Sequence, residues 1–127
     1  MKQRLSTTPS LFRAFADATR LRLINLLIER EMCVCSLCEV LEEIQPKVSR
    51  HLAYLRRVGL VTVRREGKWK YYSGIKRPAK LQRALLHCVK SCLRELDVLQ
   101  EDLRRVRSLP SDPLIGCVQE DKGALEF

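Results

Sequence analysis

The sequence predicts a small, mainly α-helical domain carrying a single β-hairpin. Three observations lead there. The 127 residues suffice for one continuous core and not for two. From residue 9 to residue 58 the apolar positions recur at helical spacing. After Gly59 the pattern becomes strand-like, and from Pro78 it is helical again.

The elements follow in order. Residues 9–17 place Leu11, Phe12, Phe15 and Ala16 on a short amphipathic helix. Asp17-Ala18-Thr19 interrupts it, and Asp17 or Thr19 can cap the next helix. That second helix, residues 19–30, is rich in Leu and Ile and reads as buried. A third runs from near Cys33 or Cys35 to Glu43. A fourth starts at Pro46, whose missing N–H costs nothing at a first helical position, and stops at Gly59. Its apolar stripe is Val48, Leu52, Leu55 and Val58. Residues 60–63 and 69–75 read as strands around a Glu66-Gly67 turn. Pro78 opens a final helix to about Arg107. Along it Leu85, Val89, Cys92, Leu96, Leu99, Leu103 and Val106 alternate spacings of four and three, a seam that wants a partner helix. A small domain could use it internally, but so long a helix overhangs a compact core and reads as a homodimer element. Residues 1–107 are thus expected to form one domain with a dimerisation helix at 78–107, and residues 108–127 a flexible tail.

Composition narrows the function. Hydrophobic residues make up 46%, too many for a disordered chain. Aromatics are 6%, which disfavours a sheet that stacks on RNA bases. No apolar run is long enough to span a membrane, and MKQRLSTTPSLFR lacks the apolar region of a secretory signal. A cytoplasmic protein without a membrane partner is expected, with its six cysteines as free thiols.

The net charge of +9 is concentrated. Residues 45–83 hold twelve bases and one acid, Glu66, while the flanking thirds are nearly neutral. Such an element suits a polyanion, because each neutralised phosphate releases condensed counterion. The third and fourth helices read as a helix-turn-helix and the hairpin as its wing. The fourth helix would enter the major groove of double-stranded DNA. Its candidate contacts are Gln45, Lys47, Ser49, Arg50 and His51, with Arg56 and Arg57 further along. Gln and Arg suit base edges, Ser and Lys suit phosphate. The wing offers Arg64, Arg65, Lys68 and Lys70 for phosphate or minor-groove contact. For each cation the alternative is a solvated surface; for His51 it is a structural hydrogen bond. Trp69, Tyr71 and Tyr72 read as sheet packing.

Three cysteines stand within Cys33-Val34-Cys35-Ser36-Leu37-Cys38. An i,i+2 disulfide would be strained, and structural zinc prefers four ligands. Three crowded thiols suit a three-coordinate thiophile. On a regular helix Cys33 and Cys35 diverge by about 200°, so one ion gathers all three sulfurs only if the helix start unwinds. The alternative is buried cysteines acting as small hydrophobes. Cys88 and Cys92 read as packed thiols on the last helix, a second metal site being the lesser reading, and Cys117 lies in the tail. His87-Cys88 with Arg94 has the spacing of a cysteine phosphatase or arsenate-reductase loop. Residues 88–94 contain no glycine and lie in a helical heptad, so no enzyme is expected. A thiol redox switch and a constitutive structural-metal DNA-binding protein are the other readings of the thiols.

Ala16-Asp17-Ala18-Thr19-Arg20-Leu21, the cysteine run, Gln45-Pro46-Lys47-Val48-Ser49-Arg50-His51-Leu52 and Arg65-Glu66-Gly67-Lys68-Trp69 resemble the ArsR/SmtB family, and within it arsenical-resistance operon repressors. The resemblance covers about residues 9–106. It implies a homodimeric winged helix-turn-helix repressor that leaves its operator when As(III) or Sb(III) binds. Cys33, Cys35 and Cys38 would be the ligands of a trigonal trithiolate, with no organic cofactor. The first and last helices would form the dimer interface. The chain departs from the pattern at Ser36, where an acidic residue is usual, and at Ile44, where a polar cap is usual.

Overall fold

Asp17 divides the first two helices of the computed structural model, which describes residues 5–109. Its side chain accepts a hydrogen bond from the Arg20 backbone N–H at 3.1 Å, so α1 (Thr8–Ala14) ends before it and α2 (Ala18–Glu29) starts after it. Leu23, Ile24, Leu26 and Leu27 make α2 the buried axis of the fold. Next come a two-residue strand β1 (Met32–Cys33) and α3 (Val34–Leu41). Glu42, left-handed at φ 56 and ψ 47, turns the chain into α4 (Gln45–Arg57). The helix starts on Ile44, which is exposed and provides no side-chain cap.

Gly59 ends α4 at φ +81. Its N–H reaches Arg56 O, and the N–H of Leu60 reaches Leu55 O, both at 3.0 Å; this is the paired closure that favours glycine. The hairpin follows as β2 (Val61–Glu66) and β3 (Trp69–Gly74). Glu66 pairs with Trp69, so the turn is Gly67-Lys68, one residue later than expected, with Gly67 at φ +65. The unanticipated β1 pairs antiparallel with β3, setting Met32 opposite Tyr72 and Cys33 opposite Tyr71. The sheet order is β1-β3-β2.

The expected single helix over 78–107 is corrected. It divides into α5 (Lys80–Ser91), a 3₁₀ turn (Leu93–Glu95) and α6 (Asp97–Arg107). The cause is tertiary. Arg94 Nε donates to Asn25 Oδ1 at 2.9 Å, and its Nη1 pairs with Glu29 at 2.8 Å. These bonds draw the chain onto α2, and Leu96 takes an extended backbone. Then α6 folds back along α2. Arg22 grips the buried Asp102 carboxylate through two bonds of 2.8 and 2.9 Å, and Asn25 Nδ2 donates to Leu99 O at 3.2 Å. The heptad seam is therefore used inside the chain. Val89, Leu99, Leu103 and Val106 are buried in the core, and Leu85 packs against it. Only Cys92 and Leu96 of the expected interface are exposed.

One amide joins the two ends of the wing. Gln82 Oε1 accepts from the Ala79 N–H at 2.8 Å, while its Nε2 donates to Val58 O and Gly59 O at 3.2 and 3.3 Å. The tail expected from Ser108 lies, from residue 110 on, outside the described residues, as does Cys117. No helix among the described residues is long and apolar enough to cross a membrane.

Candidate functional site

The reading helix is fixed from beneath. Val48, Leu52 and Leu55 are buried, so the opposite side of α4 faces out. Arg50 and Arg56 are exposed there and make no ion pair among the described residues. Arg57 sits over the Tyr54 ring, 4.8 Å from its centroid. Lys47 pairs with Glu43 at 3.1 Å, one turn earlier. At the start of the helix Gln45 Nε2 and Ser49 Oγ are shielded from solvent and have no hydrogen-bond partner. A shielded polar group without a partner costs about 1–3 kcal/mol, so both favour a state that supplies one.

His51 turns inward. Its Nδ1 lies 3.3 Å from Arg20 Nη1 and 3.9 Å from Asp17 Oδ2. Burial, with the positive charges of Arg20, Arg50 and Lys47, holds its pKa below the ordinary value despite Asp17. Neutral His51 accepts from Arg20, which is the structural alternative weighed for it. Arg20 itself was missed. It also donates to Ala14 O and Arg13 O, at 3.2 and 2.7 Å, and lies 4.3 Å from the Tyr54 ring centroid. It thereby ties α1 and α2 to the reading helix. Its signal in the sequence is a cation three residues after the cap Asp17, inside a largely apolar helix.

The wing's cations differ among themselves. Arg64 Nε and Nη2 bond Glu31 at 2.8 and 2.9 Å, and Nη1 bonds Glu66 at 2.9 Å. Its guanidinium also lies 4.6 Å from the Tyr71 ring centroid. Arg64 is a strut between wing and body rather than an unengaged phosphate contact. Arg65 is exposed without an ion pair among the described residues. Lys68 is at the exposed tip, and Lys70 faces Arg65 across the hairpin.

The three clustered cysteines run from the end of β1 into α3, two in one cluster and the third in another. Cys33 is fully buried against Tyr71, with Cys35 and Trp69 beside them. Cys38 packs instead on the main core. Among the described residues no three His, Cys, Asp or Glu side chains gather to hold a metal ion. Cys33 precedes α3 as its extended cap residue, and this brings Cys35 rather than Cys38 to its side; the expected divergence of Cys33 from Cys35 is corrected, because Cys33 lies outside the helix. The Ser36 hydroxyl lies 3.5 Å from Cys33 Sγ. The donor set suits a thiophilic ion chemically. Gathering all three requires Cys38, on the main core, and the Cys33–Cys35 pair, on the Tyr71 cluster, to come together.

Two thiol expectations change. Cys33 is disulfide-bonded, so not all six cysteines are thiols; Cys35, Cys38, Cys88 and Cys92 form no disulfide. Cys88, on α5, and Cys92, which caps its C-terminus, are exposed and not packed in a seam. Residues 88–91 are helical and Arg94 is held by Asn25 and Glu29, so the phosphatase-like spacing forms no anion-cradling loop.

Residues 17–63 match the bacterial regulatory protein, arsR family. The chain is similar to the arsenical resistance operon repressor of Escherichia coli (strain K12), with 54% identity over 63 residues, 49% of this chain and 54% of that protein. It thus spans about half the length of that curated relative. Among solved structures, HlyU from Vibrio cholerae N16961 superposes with a TM-score of 0.60 at 30% identity, covering 76% of this chain and 98% of that one. The homodimeric winged helix-turn-helix DNA-binding domain of a possible ArsR-family regulator from Mycobacterium bovis gives 0.59 at 26% identity, covering 73% and 87%. The fold is a winged helix-turn-helix of transcription regulators, not of an enzyme. A capped α2, a helix-turn-helix and the start of the wing's first strand fall within the matched residues, and the chain belongs to the arsR family of bacterial regulatory proteins.

Proposed function

We propose that the chain is a cytoplasmic transcriptional repressor that binds double-stranded operator DNA as a homodimer and is released when As(III) or Sb(III) binds Cys33, Cys35 and Cys38. One observation carries this reading. The cysteine run occupies the junction that holds both DNA-facing elements: Cys33 is paired in register with Tyr71 of the wing, and α3 packs on α4. Drawing Cys38 from the main core and the Cys33–Cys35 pair from the Tyr71 cluster onto one ion deforms α3 between wing and reading helix and disturbs both together. The metalloid supplies soft bonds to three thiolates. The similarity to the Escherichia coli arsenical resistance operon repressor supports this choice of inducer. Neither an organic cofactor nor a membrane partner is part of the reading.

On DNA, Arg50, Arg56 and Arg65 offer unpaired cations, and Gln45 and Ser49 gain the partners they lack. A homodimer is supported by the assembly of the Mycobacterium bovis neighbour and by exposed Phe12, Leu96 and Val98 on the terminal helices. Half-sites about one helical turn apart are expected in the operator footprint. Coupling between inducer and operator of about 1–3 kcal/mol changes affinity roughly 5- to 150-fold, and by reciprocity operator-bound protein takes up metalloid more weakly by the same factor. The test is operator binding by the reduced protein with and without arsenite. Arsenite releases the wild type and fails to release Cys35→Ser; release of that variant overturns the trithiolate reading.

A thiol redox switch is the second reading, favoured by the disulfide-bonded state of Cys33. It expects operator affinity to change between reductant and oxidant without any metalloid. Equal affinity in both conditions overturns it.

A further inference from the structure

A cavity of about 660 Å³ opens between the C-terminal half of α2, the far end of β3 and α5. No residue of α4 and none of the cysteines lines it, so it is separate from the reading helix and the thiol run. Its wall combines two chemistries. Ile28, Ile75 and Leu86 provide an apolar surface. Lys76, Arg83 and Lys90 stand with them, and the two lysines make no ion pair among the described residues. Glu31 is the one acid on the wall among the described residues, and it is engaged by Arg64.

We infer that this cavity binds a small organic anion, its charged group held by Lys76, Arg83 and Lys90 and its apolar body laid on Ile28, Ile75 and Leu86. The volume is that of a site for a small molecule rather than a strip for a phosphate backbone. Uncompensated cations beside an apolar surface select an anion with an apolar body over inorganic phosphate, which would leave that surface wet. The site also touches the wing. Arg64 lines the cavity, is bonded to Glu31 and stacks on Tyr71, which is paired with Cys33. A bound anion competes with Glu31 for Arg64, so occupancy bears on the strand that carries the wing.

The test needs neither operator nor metalloid, so its outcome is independent of the repressor reading. Full-length protein is titrated with 8-anilinonaphthalene-1-sulfonate, a fluorescent organic anion, at neutral pH. Saturable binding of one probe per chain is expected. Lys76→Glu with Lys90→Glu weakens it about tenfold or more, because like charge then faces the sulfonate. Arg104→Glu with Arg107→Glu, the same change in net charge on exposed α6 positions, leaves it unchanged. Glu31→Gln removes the competing carboxylate and tightens binding severalfold. Circular dichroism checks that each variant keeps its helix content. Unsaturable binding, or equal loss in the two double variants, overturns the proposal.

Discussion

The reading helix α4 and the terminal helix α6 are both amphipathic and both rich in arginine, yet their arginines are committed differently. On α6, Arg104 bonds Glu101 at 2.7 Å, and Arg105 donates to Val40 O at 2.8 Å beside Glu42 at 3.7 Å. On α4, Arg50 and Arg56 have no ion pair among the described residues. The first set binds the protein to itself, and the second does not. Charge content therefore does not tell which cations are open to an outside anion; the lack of an intramolecular ion pair does. Arg64 makes the same point within the wing, where it is engaged by Glu31 and Glu66 while Arg65 next to it is not.

The contrast predicts that changes in the two regions fail in different ways. The largest effect belongs to α6. Asp102→Ala leaves Arg22 without its buried partner and costs about 3–5 kcal/mol of stability, read by urea unfolding, while the folded fraction keeps its operator affinity. Loss of affinity without loss of stability there would break the division. Next is α4. Arg50→Ala weakens operator binding by about 1–3 kcal/mol, and the slope of log affinity against log salt falls by about 1 if its contact is to phosphate. Its urea midpoint stays put, because an exposed cation without a partner contributes within about 0.5 kcal/mol. Anisotropy titrations at several salt concentrations check both. Arg105→Ala is smaller, about 1 kcal/mol of stability from one lost hydrogen bond to Val40 O. It also lowers operator affinity slightly, because α3 then holds α4 less firmly. The smallest effect is that of pH on His51. Its folded pKa lies below the ordinary 6.5, so the unfolded chain takes up the proton first and stability falls as pH drops below 6.5. His51→Gln flattens that fall when urea midpoints are compared between pH 5.5 and 8.

Much of the DNA-reading half was legible because its punctuation is local. Asp17 caps α2, Gly59 closes α4, and Gly67 supplies the turn of the hairpin; each needs only its immediate neighbours. Even the uncapped start at Ile44 could be anticipated from residue type. What escaped depends on distant partners. A two-residue strand such as β1 has no period to detect, and it exists because β3 is there to pair with it. The break after α5 is set by Asn25 and Glu29, far from Arg94 in sequence, and a perfect heptad runs straight through it. The same limit applies to the site. The cysteine run was visible as a run, but the division of its sulfurs between Tyr71 and the main core follows from the third strand.

Gln82 has a consequence for engineering. Because its one amide bonds the end of α4 and the start of α5, residues 60–78 leave and return to the body at a closed base. The hairpin is a cartridge mounted on that base. Extra residues at the Gly67-Lys68 tip lengthen its reach along DNA without shifting the helices it springs from, since closing a longer loop costs only slowly growing entropy. Gln82→Ala removes the mount, and the same insertion would then be felt in the pitch of the reading helix.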